Sequence, residues 1–511
     1  MTESVSLSAD AARSADVDVL IVGLVTSQDG PRPAPGADDV DEAFGGGLAG
    51  AAQALGARGA AGEITRVPAL GATTAPLVIA AGLGDAPDAG FDAEVLRRAA
   101  GAGLRAAAGK ERVAVALPAR DAAEATAVTL GALLGNYAYL TYRTGDTAAH
   151  APADAVMIIT PLAEDASAEG IVGQAETIAG SVNLVRDLVN TPPGDQPPAE
   201  LARIAEEEAE RAGLDVEVLD EEALVAGGYH AIIGVGQGSV NPPRLVRVAY
   251  THPEATATLA LVGKGITFDT GGLSLKPSAS MDWMKSDMGG AGAVLGTLRT
   301  VAGLRPRVNV IGYLAIAENM PGGAAQRPSD VVTSYGGKTI EVMNTDAEGR
   351  LVMADAIGRA LEDSPDLLID VATLTGGQLV ALGTRTSGVM GNDDAVRDAV
   401  ADAAGRAGES MWAMPLPAEL RRYFDSSVAD ITNHATERWG SMLAAGVFLS
   451  EFVPGDVPWV HLDIAGPAFN KGEPHGYTPK GGTGVAVRTL TQVAEDLAAG
   501  RNPAVRAAGR G

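Results

Sequence analysis

Apolar runs of strand length alternate with alanine-rich stretches of helical length along the first third of the chain. The strand-length runs cover residues 19–25, 77–81, 113–117 and 156–160, and the main helical stretches cover 92–108 and 122–142. Strands that alternate with helices predict an α/β layer with a largely parallel sheet.

A proline-rich segment interrupts this alternation. A helix predicted over 173–189 runs into residues 190–198, where four prolines prevent a helix from continuing. A second α/β pattern follows, with a helix over 199–212 and strands over 216–219, 245–250, 258–262, 308–316, 367–371 and 457–464. We therefore predict an N-terminal domain over 1–172, a connecting helix and linker over 173–198, and a C-terminal domain over 199–511.

Composition limits the class of protein. A chain of 511 residues with 46% hydrophobic and 20% charged residues is globular and long enough for two domains. Its formal charge of −26 argues against nucleic acid or anionic lipid as a partner. The absence of cysteine excludes disulfides, thiolate metal sites and cysteine nucleophiles. Since residues 1–18 lack an apolar signal core and no apolar run could span a bilayer, we expect a cytoplasmic protein.

Acidic residues cluster in three motifs at predicted ends of strands and helices in the C-terminal domain. Lys264 and Asp269 follow the strand predicted over 258–262, and Asp287 heads a helix that runs through residue 298. Asp346 and Glu348 lie between a strand over 338–343 and a helix over 351–361. Taken singly, each acid before a helix could be a simple N-cap or first-turn residue.

Four carboxylates that converge would repel one another unless cations joined them. Without cysteine, and without histidine in these motifs, the candidate ligands are carboxylate oxygens and a lysine amine. That set suits Mn²⁺, Zn²⁺, Mg²⁺ or Co²⁺, with Mn²⁺ preferred here. Two ions bridged by carboxylates would form a hydrolytic centre, and Lys264 would have to be neutral to ligate one of them.

Residues 344–351, with the sequence NTDAEGRL, together with the motifs at 263–269 and 286–290, resemble the leucine (cytosol) aminopeptidase family. The resemblance covers about residues 190 to 495. It implies a smaller, macro-domain-like N-terminal α/β layer and a larger C-terminal α/β/α catalytic domain with a mixed, mostly parallel sheet. It also implies an aminopeptidase that releases leucine and similar apolar residues from short peptides.

The resemblance assigns the metal ligands. Lys264, Asp269, Asp287 and Glu348 would hold one divalent ion, and Asp269, Asp346 and Glu348 a second, so that Asp269 and Glu348 bridge the pair.

The resemblance also assigns groups beyond the metal ligands. Lys276 would stabilise the oxyanion of the tetrahedral intermediate, and Arg350 would hold a bicarbonate ion that acts as general base. The pocket for the N-terminal side chain would be formed by Met284, Asn344, Thr373, Leu374 and Ala465. Ordinary core packing remains an alternative for Met284 and Ala465. His461 matches no ligand position and is predicted to be a satisfied strand histidine.

By the same resemblance the protein would be a homohexamer, built as a dimer of trimers. Two other function classes stay open. A DNA-binding or regulatory role is one, since some family members have such a second role, and a gel shift across a salt series would reveal it. A two-metal phosphoesterase is the other, and it would hydrolyse a chromogenic phosphate ester instead of leucine anilides.

Overall fold

Each of the two units of the chain is organised around its own sheet. The computed structural model describes residues 4–87, 90–145 and 147–504. The first unit comprises Met1–Asn183 with Lys471–Lys480, and the second comprises Leu184–Asn470 with Gly481–Gly511.

The first unit is a largely parallel sheet with helices, as predicted. Its strands are β1 (Ser4–Ser8), β2 (Val19–Thr26), β3 (Arg32–Pro33), β4 (Ile64–Pro68), β5 (Leu77–Asp85), β6 (Arg112–Ala116) and β7 (Ala155–Ile159). Its helices are α1 (Asp38–Ala43), α2 (Leu48–Ala54), α3 (Ala93–Ala106) and α4 (Ala122–Gly135), while α5 (Ala168–Asn190) ends in the second unit. The sheet order is β1-β7-β6-β2-β5-β4, and only β4 and β3 pair antiparallel to their neighbours.

Helix α4 is shorter than its alanine-rich sequence predicts. The prediction extended the helix to residue 142, which is wrong, because the helix ends at Gly135. Asn136 leaves helical geometry, and its side chain holds both backbone groups of Ala153 at 2.9 and 2.7 Å. These two hydrogen bonds to a residue distant in sequence override the local helix propensity, so the helix stops.

The second unit contains the longer sheet and most of the helices. Its strands are β8 (Asp215–Leu219), β9 (Arg244–Tyr250), β10 (Thr258–Asp269), β11 (Asn309–Asn319), β12 (Asp330–Thr333), β13 (Thr339–Val342), β14 (Leu367–Ala372), β15 (Ser387–Gly391), β16 (Met411–Ala413), β17 (Ile431–Thr432), β18 (Trp459–Asp463), β19 (Phe469–Asn470) and β20 (Gly481–Gly482). Its helices are α6 (Pro198–Arg211), α7 (Glu221–Gly227), α8 (His230–Gly236), α9 (Gly289–Leu304), α10 (Gly349–Ala360), α11 (Gly376–Leu382), α12 (Asp394–Ala407), α13 (Ser441–Ser450) and α14 (Val487–Ala498).

The main sheet of the second unit is mixed and parallel at its centre, which confirms the expected fold class. Its order is β16-β15-β18-β14-β10-β11-β9-β8. Strands β18, β14, β10 and β11 run parallel, and the antiparallel pairs lie toward the edges. From β10 the chain continues to β11 on one side and later adds β14 on the other. Such a reversal of strand order is where open α/β sheets bind ligands, beyond the carboxyl ends of the strands.

Helices α9 and α10 cover opposite faces of β10. Ala260 and Val262 share an apolar core with Leu351 of α10. Gly263, the next residue after Val262, faces α9, where an added Cβ would lie 2.6 Å from the Cα of Ala291. Because successive strand residues point to opposite faces, this alternation forms an α/β/α layer.

Candidate metal centre

Strand β10 carries both Lys264 and Asp269, so the prediction that the strand ends at residue 262 is wrong. The glycines at 263 and 265 do not end the strand, because they allow close packing of α9 while pairing with β11 continues to Asn319. The register shifts between Ile266 and Phe268. Strict alternation would send Lys264 and Asp269 to opposite faces, and the extra residue of this bulge brings them to the same side.

Asp287 follows a short 3-10 turn, Met284–Ser286, and precedes the start of α9. The residue in the N-cap position is Met288, so the alternative that Asp287 merely caps this helix is wrong. Gly290 lets the helix start pack against β14, because a Cβ there would lie 2.1 Å from the carbonyl oxygen of Val371. The hydroxyl of Thr373 donates to Asp287 Oδ1 at 2.7 Å and fixes the carboxylate.

The start of α10 presents Asp346 and Glu348. Glu348 occupies the N-cap position, but its side chain makes no capping hydrogen bond and contacts Lys264 instead. Gly349 makes room for that contact, since a Cβ there would lie 2.6 Å from Cε of Lys264. Asn344 Oδ1 accepts a hydrogen bond from the Asp346 backbone N–H at 2.9 Å. Simple helix capping therefore does not account for either acid.

Two lysines join the four carboxylates. Lys264 Nζ lies 2.8 Å from both Asp287 Oδ1 and Glu348 Oε1. Lys276 Nζ lies 2.7 Å from Asp269 Oδ2 and 2.5 Å from Asp346 Oδ1.

Electrostatics in this cluster depend on burial and on the lysines. Burial raises the pKa of Asp269 and of Asp287, although Lys264 acts in the opposite direction on both. Burial opposes ionisation of Glu348 as well, but the charges of Lys264 and Lys276 outweigh it and lower the pKa of this carboxyl. Burial also disfavours the charged form of Lys264, yet Asp287 and Glu348 raise its pKa and keep the amine protonated here.

The donor atoms fit a divalent metal. One oxygen from each of Asp269, Asp346 and Glu348 lies within 4.8 Å of the other two. Asp287 Oδ2 is buried and accepts no hydrogen bond from the described residues, so a buried carboxylate oxygen is left for a cation. These hard oxygen donors suit Mn²⁺ and Mg²⁺.

A cavity of about 400 Å³ adjoins the cluster. Its lining residues are Lys264, Asp269, Lys276, Pro277, Trp283, Met284, Ser286, Asp287, Asp346, Glu348, Thr373, Leu374, Thr375, Gly376, Leu379 and Ala465. All predicted site residues except Asn344 and Arg350 belong to this lining. Trp283, Thr375 and Leu379 were not predicted, although the position of Trp283 beside Met284 was a usable signal.

Arg350 lies near the cluster without lining the cavity. Its Nη1 donates to the carbonyl oxygen of Asn433 at 2.9 Å, and its guanidinium carbon lies 5.6 Å from the centre of the Phe448 ring. Its Nε is buried and has no hydrogen-bond partner among the described residues. Burial lowers the pKa of Arg350 to about 10, so the side chain is still cationic at neutral pH.

Sequence reasoning also missed Asn319, which holds the metal centre from the end of β11. Its Nδ2 donates to Asp269 Oδ1 at 2.8 Å and to the carbonyl oxygen of Thr345 at 3.0 Å. The parallel pairing of β10 with β11 places it opposite Asp269. An open mixed α/β sheet with a lysine–carboxylate cluster beyond its carboxyl edge places the protein among α/β proteins with a candidate metal centre.

The comparisons with known proteins name the family. The model described as the cytosol aminopeptidase family, catalytic domain, matches residues 183–491, and that of its N-terminal domain matches 21–146. A Streptomyces griseus protein named "Probable cytosol aminopeptidase" is 51% identical over 97% of this chain and 99% of that protein. The chain belongs to the cytosol aminopeptidase family and is a metal-dependent aminopeptidase.

Solved structures agree with this assignment. The structure described as "Bottromycin maturation enzyme BotP in complex with Mn" is 38% identical, covers 94% of this chain and 100% of that one, and has a TM-score of 0.82. A mutant of tomato leucine aminopeptidase is 30% identical over 97% of this chain and 96% of that one, with a TM-score of 0.85. None of the helices in the described part of the chain is long and apolar enough to cross a membrane.

Replacing Glu348 with glutamine is expected to weaken Mn²⁺ binding at least about tenfold, because it removes a charged oxygen from the carboxylate cluster. Isothermal titration calorimetry measures the affinity. Glu222→Gln, in the exposed first turn of α7, is the matched control and should bind Mn²⁺ like the wild type. Equal affinities for the Glu348 variant and the wild type would contradict the assignment.

Proposed function

We propose that the protein is a two-metal aminopeptidase of the cytoplasm that releases leucine and similar apolar residues from the N-termini of short peptides. The observation that supports this most is the cavity beside the lysine–carboxylate cluster. Among its described lining residues, the charged ones all belong to that cluster, and the others are mainly apolar or small. Such a wall favours an apolar side chain and disfavours a charged one.

Lys264, Asp269, Asp287 and Glu348 would hold one ion, and Asp269, Asp346 and Glu348 would hold the other. The second set coincides with the three carboxylates whose oxygens lie within 4.8 Å of one another. When bound, the ions would lower the pKa of a shared water and polarise the substrate carbonyl. Lys264 would have to release its proton to act as a ligand.

Lys276 would remain protonated and stabilise the negative charge that develops on the substrate carbonyl oxygen. Its side chain lines the cavity, and its ion pairs with Asp269 and Asp346 raise its pKa despite burial. A cation held there before the reaction needs little reorganisation, so its stabilisation of the transition state is large.

Arg350 would bind bicarbonate, which would act as general base toward the attacking water. An available donor supports this role, because Asn433 and Phe448 hold the side chain while its Nε stays unpaired among the described residues. The pocket for the N-terminal side chain would be formed by Met284, Thr373, Leu374 and Ala465, while Asn344 would act by holding the backbone of Asp346.

A panel of chromogenic substrates tests the function. With Mn²⁺ present, leucine p-nitroanilide should be hydrolysed faster than the glutamate compound, because the cavity wall is apolar. N-acetyl-leucine p-nitroanilide should resist hydrolysis, since its blocked amine cannot ligate a metal. Activity that survives verified removal of the metal, or rapid cleavage of the acetylated substrate, would refute the proposal. Hydrolysis of a chromogenic phosphate ester instead would favour a phosphoesterase.

Replacing Arg350 with alanine should lower kcat by roughly 10²-fold, the contribution of a general base, while Mn²⁺ affinity is retained. Steady-state assays in bicarbonate-depleted buffer should show saturable activation of the wild type by added bicarbonate and none for this variant. Arg359→Ala, on the same helix and paired with Glu362, is the control and should keep the activation. A wild-type enzyme indifferent to bicarbonate would refute this role.

We also propose a homohexamer, built as a dimer of trimers. Large apolar side chains exposed on the second unit, including Trp412, Val428 and Trp439, supply surface that such contacts could cover. Multi-angle light scattering should give six times the chain mass of 51.6 kDa. A mass equal to one chain would rule the assembly out.

A further inference from the structure

Asp463, the last residue of β18, is a fully buried carboxylate with no part in the chemistry proposed above. Its Oδ1 accepts hydrogen bonds from the backbone N–H groups of Leu374 and Ala465, both at 3.2 Å. Its Oδ2 accepts from the hydroxyl of Thr375 at 2.7 Å. The carboxylate therefore joins the segment that follows β14 to the segment that follows β18.

Both segments form walls of the cavity beside the metal centre. The lining residues that they supply are Thr373, Leu374, Thr375, Gly376, Leu379 and Ala465. Parallel pairing of β14 with β18 ends at Ala372 and Asp463, so the strand ladder does not hold the residues beyond that point. Beyond that point the hydrogen bonds of Asp463 connect the two segments, although Asp463 does not itself line the cavity.

A second side chain reinforces the same junction. Gln378 Oε1 accepts from the backbone N–H of Gly466 at 2.6 Å, and its Nε2 donates to the carbonyl oxygen of Thr386 at 2.6 Å. The hydroxyl of Thr375 accepts from the backbone N–H of Gln378 at 3.1 Å, at the start of α11. The side chains of Asp463 and Gln378 thus both connect the segment after β14 to the segment after β18.

The metal centre holds the start of the segment after β14 without help from Asp463. The carbonyl oxygen of Thr373 accepts from Lys264 Nζ at 3.2 Å, and its hydroxyl donates to Asp287 Oδ1 at 2.7 Å. Loss of Asp463 would therefore release Leu374 and Thr375 while Thr373 stays attached to the cluster. The wall that contacts a substrate side chain would move more than the metal ligands.

A buried histidine–aspartate pair, His461 with Asp370, lies next to Asp463 on β18 and β14. His461 is two residues earlier on β18 and so points to the same face of the sheet. Its Nδ1 lies 2.5 Å from Asp370 Oδ1, and Trp459 Nε1 donates to Asp370 Oδ2 at 2.7 Å. Burial alone would lower the pKa of His461, but Asp370 outweighs it and raises that pKa. Burial raises the pKa of Asp463, and the nearby His461 acts in the opposite direction when it is protonated.

His461 lies on a strand, as the sequence predicted, but only one of its two ring nitrogens has a hydrogen-bond partner among the described residues. Its Nε2 is buried and makes no hydrogen bond within the described part of the chain. Asp370 holds the ring through Nδ1, and the ring stacks on that of Trp459 with the centroids 6.5 Å apart.

We propose that Asp463 is a positioning residue that fixes the walls around the substrate's N-terminal side chain and thereby sets side-chain selectivity. The proposal rests on the assignment of this cavity to that side chain. A leucine side chain, which reaches the walls, depends on their position, whereas the single methyl group of alanine contacts them little.

Asp463→Ala should lower the ratio of kcat/KM for leucine p-nitroanilide to that for alanine p-nitroanilide by about tenfold, within the range that one to two methylene contacts supply. The change should come mainly from a higher KM for the leucine substrate, and Mn²⁺ affinity by calorimetry should stay unchanged. Asp463→Asn keeps an acceptor for the two N–H groups and should lower the ratio about threefold.

Asp355→Asn is the matched control. Asp355 is also fully buried and accepts from three backbone N–H groups, those of Ala231, Ile232 and Tyr335, but it holds α8 and does not line the cavity. This variant should lower the melting temperature and leave the selectivity ratio unchanged, because a smaller folded fraction reduces both rates equally.

An unchanged ratio in folded Asp463→Ala, from a wild type that discriminates leucine from alanine, would overturn this proposal alone. If that variant does not fold, Asp463→Asn decides: a reduced ratio supports the proposal and an unchanged ratio refutes it. A metal-dependent wild type that does not discriminate would overturn the assignment of the pocket, and this proposal with it.

Discussion

The pairing of four carboxylates with two lysines, most of them buried, is the interaction on which the second unit's site depends. Lys264 joins Asp287 to Glu348, and Lys276 joins Asp269 to Asp346. Removal of one partner from such a network leaves an uncompensated charge in a poorly solvated place. A cluster this costly is maintained by the surrounding fold, and a function that needs concentrated negative charge explains its presence.

Close contacts between backbones, made possible by glycines, bring the three acidic motifs together. Gly290 lets α9 approach β14, and Gly349 lets α10 start directly over Lys264. The bulge in β10 then turns Asp269 to the side of Lys264. The glycines of these motifs therefore serve the site as directly as the charged residues do, since any side chain would separate the helices from the ligands.

Much of the site could be predicted from sequence because its charged residues lie in short, unusual motifs. Local reasoning failed where long-range contacts decide the structure. The glycines at 263 and 265 looked like the end of a strand, yet pairing with β11 carries β10 on to Asp269. Asn319 and Asp463 could not be assigned, because their roles depend on strand order, which no local pattern specifies. Helix α4 ends early for the same reason, through the contact of Asn136 with Ala153.

Different strand ends supply the metal-centre residues and the walls of the cavity. Strand β10 carries metal-centre residues, whereas the ends of β14 and β18 supply the walls of the cavity, and Thr373 contacts both groups of residues. In the proposed function, the residues that bind the metals and those that contact the substrate side chain therefore lie next to each other but on different strand ends. Under that proposal, substrate preference could change in the loop after β14 and at the start of α11 without displacing the carboxylates, in keeping with the placement of specificity beyond a rigid sheet.

Anomalous X-ray diffraction from crystals grown with Mn²⁺ tests the two-metal centre most directly. Two manganese peaks about 3.5–4 Å apart are expected. Asp287 should contact one of them and Asp346 the other, with Asp269 and Glu348 in contact with both. A single peak at full occupancy, or two peaks that share no carboxylate, would contradict the two-metal assignment.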